Sequence, residues 1–152
     1  MSRPKSPLDR WSPKLKQLRT LSLRQPWAWL VVNGYKDIEN RSWRTNHRGP
    51  LLIHASSTTS DFTLENLAVI YKKHGVRVPE VLDTGGIVGV VNVVDCLKGH
   101  PSKWKFRGSW GWVLANPRRL PFRKCKGFVG LFKLNLKLRS RPTQLRRKWG
   151  GV

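Results

Sequence analysis

The chain has 152 residues, 39% of them apolar, which suits one domain with one core. No stretch approaches the roughly 18–20 consecutive apolar residues of a membrane-spanning helix, and Cys96 and Cys125 form neither a CxxC pair nor a zinc-ligand spacing with histidine. Thirty Lys and Arg oppose eight Asp and Glu, a formal net charge of +22, and so self-repulsive a chain points to an anionic partner.

Residues 1–19 carry six of the basic residues, Asp9 as their one acid and three prolines, so they read as a basic flexible arm. They lack the apolar core of a secretory signal, and the expected location is cytoplasmic. TLSL (20–23) predicts a short strand. Pro26 suits the first turn of a helix, and Trp27, Leu30, Val31 and Gly34 follow at one-face helical spacing, with Gly34 as the stop. DIENRSW (37–43) and LLIHA (51–55) predict strands. From Ser60 to His74, Phe62, Leu64, Leu67, Ala68, Ile70 and Tyr71 recur at helical spacing, with Ser60 or Asp61 as cap and Gly75 as terminator. GIVGVVNVVDCL (86–97) predicts a long β-branched strand that Gly86 and Gly89 allow to bend.

WGWVLA (110–115) and GFVGLFKLNLKL (127–138) complete the strands, the second alternating Phe132, Leu134, Leu136 and Leu138 with Lys133, Asn135 and Lys137. Residues 139–152 form a second basic flexible tail, which leaves a domain over 20–138. Trp11 and Trp149, one in each arm, are placed either to stack on bases or to dock on the domain. Five or six strands with one clear and one short helix, not regularly alternating, exclude a doubly wound parallel sheet. They favour an α+β fold built on a small curved sheet closing toward a barrel.

The charge is uneven: no acid follows Asp95, yet that stretch holds 16 of the 30 basic residues. No amphipathic helix sets a clean apolar face beside a basic one, so nucleic acid outranks a membrane surface as the anion.

The densest chemistry lies in Arg24–Ala55. On an extended strand Glu39, Arg41 and Trp43 point the same way, and a carboxylate beside a guanidinium forms a strong pair. That pair either shapes the fold or orders Lys36 for a base- or phosphate-binding cleft. Arginine interleaved with tryptophan is the combination single-stranded nucleic acid uses. The candidate contacts are Arg24, Gln25, Trp27, Lys36, Arg41, Trp43, Arg44, Arg48, Trp110 and Trp112, with Trp110 and Trp112 on one strand face in one shared role. His47 and His54 read as satisfied structural groups before they read as acid–base catalysts.

Gly34, Lys36, Glu39 and Arg41 spell G-x-K-x-x-E-x-R. With SLRQPWAWLV before it, RGPLLIHAS after it, and GIVGVVNVVDC and WGWVLANPRRL downstream, the chain resembles the ASCH domain, the activating signal cointegrator homology module of the PUA-like superfamily, over about residues 20–136. The resemblance implies a small PUA-like β-barrel of five or six strands with flanking helices and a cleft around the signature. It also implies nucleic acid as partner, RNA favoured over DNA; the residues hold no phosphate-cradling P-loop and no metal cluster, so no cofactor or metal is expected. One branch of the family hydrolyses acetylcytidine, but it carries a threonine where Glu39 stands here.

The leading expectation is therefore a monomeric RNA-binding module, more a binder than an enzyme. One alternative is an RNA-directed hydrolase, a ribonuclease or modified-nucleoside amidohydrolase, with Lys36 and Glu39 catalytic. The other is a transcription-coactivator type of adaptor, which leaves the +22 charge unexplained.

Overall fold

The computed structural model describes residues 17–134. Most of the N-terminal arm, the whole C-terminal tail and the expected strand positions from Asn135 onward lie outside the described residues. The elements are β1 (Arg19–Leu23), α1 (Trp27–Val32), β2 (Ile38–Arg41), β3 (Gly49–Ala55), α2 (Leu64–His74), β4 (Gly86–Leu97), β5 (Trp110–Lys124) and β6 (Leu131–Lys133). They build one six-stranded sheet in the order β2-β5-β4-β3-β1-β6. Only β1 and β3 run parallel, with Thr20 opposite Leu52 and Leu23 opposite Ala55. The connection between them holds α1 and sends β2 to the far edge.

The sheet curls into a half-barrel. Register shifts interrupt the β4–β5 ladder at three places and the β3–β4 ladder between Ile53 and His54, and such bulges add local twist. The curl brings β2, on one edge, back to β1: Arg41 Nη2 donates to the Ser22 carbonyl at 3.2 Å. Gly89 lets the layers approach, because a Cβ there would sit 2.5 Å from the Arg118 carbonyl and 2.6 Å from a Val32 methyl.

Inside the curl α1 acts as a plug. Its Ala28, Val31 and Val32 pack on Leu21 and Leu23 of β1, Leu51 and Ile53 of β3, Val91 and Val93 of β4, and Trp112 and Leu114 of β5. Full burial of each larger aliphatic side chain contributes on the order of 1.5–3 kcal/mol. On the outer face Leu52, Ile87 and Val90 form a smaller cluster with Leu120, Cys125 and Leu134.

Three features, in two elements, depart from the expected pattern. The cap of α2 is Thr63, whose Oγ1 accepts from Asn66 N at 3.1 Å. Ser60 and Asp61 do not cap, since Ser60 Oγ takes Arg24 and Asp61 Oδ2 takes the Trp27 indole N–H. Of the apolar residues spaced along α2 only Ile70 is buried, and Leu64 is 86% exposed. Finally, β5 runs nine residues past its expected end, because Asn116, at φ 51°, and Pro117 fall at a bulge between Asn92 and Val90. There the missing proline N–H costs no ladder bond.

Candidate functional site

Gly34, at φ 82°, turns the chain out of α1. The amides of Tyr35 and Lys36 then fold back onto the Leu30 carbonyl at 2.9 and 3.0 Å. That wrap tucks Lys36 under the helix, where it is 5% exposed, so it is no solvated turn residue. Lys36 Nζ donates to the Ile38 carbonyl and to Glu39 Oε1, the latter at 3.0 Å. Glu39 Oε2 receives Arg41 Nη2 at 3.1 Å. One buried carboxylate thus sits between two cations, and its partner Arg41 also ties β2 to β1. Glu39 and Arg41 meet because residues two apart on a strand share a face.

The triad forms the floor of a cleft of about 680 Å3. One wall is α2, with Asn66, Ile70, Lys73 and His74; the other is the β4–β5 connection, with Lys103, Trp104 and Phe106; Arg24, Trp27 and Asp61 close one end. The walls touch where the His74 and Trp104 rings stack, centroids 3.5 Å apart and 7° from parallel. Burial pushes the His74 pKa down, and the charges of Lys103 and Lys73 push it further. Positive charge therefore reaches the rim from both sides. Asn40 fixes the second wall: its Nδ2 donates to the Trp104 carbonyl, and its Oδ1 accepts from Phe106 N, both at 2.8 Å. Phe106 is left 64% exposed at the cleft.

Of the residues singled out in the sequence, Arg24, Trp27, Lys36, Glu39 and Arg41 come together here. The others do not line the cleft. Gln25 is buried: its amide donates to the Asp83 carbonyl and accepts from Trp29 N, both at 2.9 Å. Trp112 is fully buried in the core, so a ligand cannot reach it. Trp43 packs edge-on against it at 4.8 Å and stays 38% exposed. Trp110, partly buried, packs against the same core cluster, with Arg44 and Lys98 over its ring at 6.0 and 5.3 Å, so both tryptophans of that strand face serve the core. Arg48 pairs with Asp95 at 3.7 Å.

His47 Nε2 meets the Pro50 carbonyl at 2.9 Å, and His54 bridges Ser22 Oγ and the Cys125 carbonyl at 2.9 and 2.8 Å, so both are structurally satisfied. Sequence reasoning missed Asn40, Lys73, Lys103, Trp104 and Phe106. Asn40 occupies a variable position of the signature, and the rest are far from it in the chain. Among the described residues no group of three or more His, Cys, Asp or Glu could hold a metal ion, and no helix is long and apolar enough to cross a membrane.

A six-stranded curled sheet with two helices, its signature residues locked beneath a cleft, defines a small α+β protein of PUA-like type. The chain belongs to the ASCH domain family, whose model matches residues 21–122. Activating signal cointegrator 1 of mouse (Mus musculus) and of human (Homo sapiens) are each 32% identical to it over 130 residues, covering 78% of this chain. The chain spans 22% of the length of those relatives. The crystal structure of a point mutant of the Zymomonas mobilis ASCH protein superposes with a TM-score of 0.51 at 12% identity, over 85% of this chain and 98% of that one, a likeness of fold.

Proposed function

We propose that this domain binds nucleic acid, RNA before DNA, by taking an unstacked nucleotide into the cleft above the Lys36–Glu39–Arg41 triad. The observation that carries this reading is the rim: exposed Phe106 and Lys103 on one wall and exposed Lys73 on the other. An exposed aromatic beside lysines is how proteins hold single strands, the ring stacking on a base while the cations meet phosphates. The volume of about 680 Å3 matches a site for one small ligand. Direct contact falls to the rim and to Arg24, which is exposed. Lys36 and Glu39 position Arg41 and the floor.

The test is the affinity of labelled single-stranded RNA for the parent and for Phe106→Ala and Lys103→Ala. Loss of one stacked base weakens binding by about 1–3 kcal/mol. Parent-like binding by both variants would overturn the cleft reading. The hydrolase alternative finds little support, since both Glu39 oxygens face cations and Lys36 has two donors engaged. RNA cleavage or nucleoside deacylation by the parent, lost in Lys36→Ala, would put that alternative first.

A further inference from the structure

We infer that the outer half of β5 and the turn leading to β6 form a second nucleic-acid surface, one that grips the phosphate backbone outside the cleft. The inference rests on the nucleic-acid reading above but not on the cleft. All four ion pairs among the described residues lie elsewhere: Arg24–Asp61, Lys36–Glu39, Arg41–Glu39 and Arg48–Asp95. The cations at the cleft floor are therefore largely spent on carboxylates. By contrast Arg118, Arg119, Lys126 and Lys133 are exposed, in a part of the chain without a single acid. Two aromatics stand among them, Phe122 at 41% and Phe128 at 53% exposure. Lys126 Nζ lies 5.7 Å from the Phe128 ring centroid.

The surface is also separate from the cleft in the sheet. β5 pairs with β2 only over Trp110–Val113, whereas Arg118–Lys124 pair with the start of β4, among the described residues. Arg118 to Lys124 is seven residues long but lies opposite only Gly86–Val90 of β4, four steps at about 3.3 Å each, so it extends roughly 13 Å. That is about the length of four phosphates along one strand of a helix, at roughly 3.4 Å each. Exposed Phe122 and Phe128 near the exposed Arg118 and Arg119 fit a nucleic-acid strand better than an acidic protein, which offers no bases to stack.

Charge on a strand edge has a simpler use, since lysine, arginine and proline keep edges from pairing with other chains. Charge reversal separates the two uses, because a glutamate protects an edge as well as an arginine does. The full chain carrying Arg118→Glu and Arg119→Glu is titrated with a fluorescent 20-mer of uridine at 50–200 mM salt, beside the parent, Phe106→Ala, and the double change to lysine. Each phosphate contact contributes about 0.7 to the salt slope for a single strand. The double glutamate variant is expected to lower that slope by about 1.4 or more and to weaken binding at least about tenfold at low salt. Its melting temperature should match the parent's, and the double lysine variant should keep the parental slope.

Parental slope and affinity in the double glutamate variant overturn the proposal, whatever Phe106→Ala does. Displacement of the RNA by polyglutamate at equal charge overturns it in favour of an acidic polypeptide. If Phe106→Ala and Lys103→Ala bind like the parent while the double glutamate variant does not, the cleft reading fails and this one stands.

Discussion

Replacing Glu39 by glutamine removes the charge that holds the floor of the cleft together. The residue is 9% exposed, Lys36 is 5% exposed, and Arg41 is three-quarters covered, with a side-chain exposure of 26%. The amide can still accept one hydrogen bond, but two neighbouring cations then lose their counter-charge at a largely buried floor. Breaking a buried pair from one side costs about 3–5 kcal/mol. For a domain of this size that lowers the melting temperature by roughly 10–20 °C. Thermal unfolding followed by circular dichroism measures it. A second substitution sharpens the reasoning: Lys36→Met keeps the apolar stem and deletes one stranded cation, so the double variant should melt above Glu39→Gln alone. A melting temperature within about 3 °C of the parent in Glu39→Gln would refute the argument, since less than about 1 kcal/mol separates such proteins. So would a double variant in which the two losses simply add, because contacting residues should not be independent.

Trp112→Leu leaves a void beneath Trp43 and should cost a few kcal/mol, at the lower end of the about 3–5 kcal/mol for deleting a buried large aromatic outright, seen as a lower urea midpoint. Gly127→Ala should destabilise by at least about 1 kcal/mol, because its Cβ would lie 2.5 Å from His54 Cε1 and 3.1 Å from Ser22 Oγ; an unchanged midpoint would show that the turn yields freely. Burial lowers the His54 pKa in the folded protein, against a smaller opposing effect of the Cys125 carbonyl. The unfolded chain then takes up a proton near pH 6.5 while the folded one stays neutral, so stability should hold above that pH and fall below it. In His54→Asn that fall should be smaller; an equal fall in both proteins would assign the pH dependence to other groups.

Local pattern carried the reading of β4, whose bounds, Gly86–Leu97, coincide with the β-branched run seen in the sequence. Burial on both faces makes such a strand nearly continuous in apolar residues, and that needs no knowledge of partners. The cap of α2 was illegible for the opposite reason. Ser60 and Asp61 are good capping types, but Arg24 and Trp27 engage them across the fold. β5 hid its length behind Pro117, which is tolerated because β5 itself bulges there, three of its steps facing two of β4. At the site the triad was legible because its spacing is local, while the walls were not. Trp104 and Phe106 reach the signature through Asn40, 64 and 66 residues away in sequence. Gln25 was misread for a similar reason: the carbonyl of Asp83 satisfies it inside the protein, and nothing near Gln25 announces that partner.

On the proposed reading of the cleft, the hydrogen bond from Arg41 to the Ser22 carbonyl makes recognition and mechanical closure draw on one side chain. β2 is held to the sheet by four register pairs on one side, and across the open seam this guanidinium is its tie to β1. Short edge segments with few bonds sit at the low end of local opening energies. Any ligand atom that recruits Arg41 competes with Ser22 and slackens the seam, so the measured affinity is net of that slackening. A fully laced barrel would hold its ligand and its shape independently; in this one, grip and stiffness trade against each other.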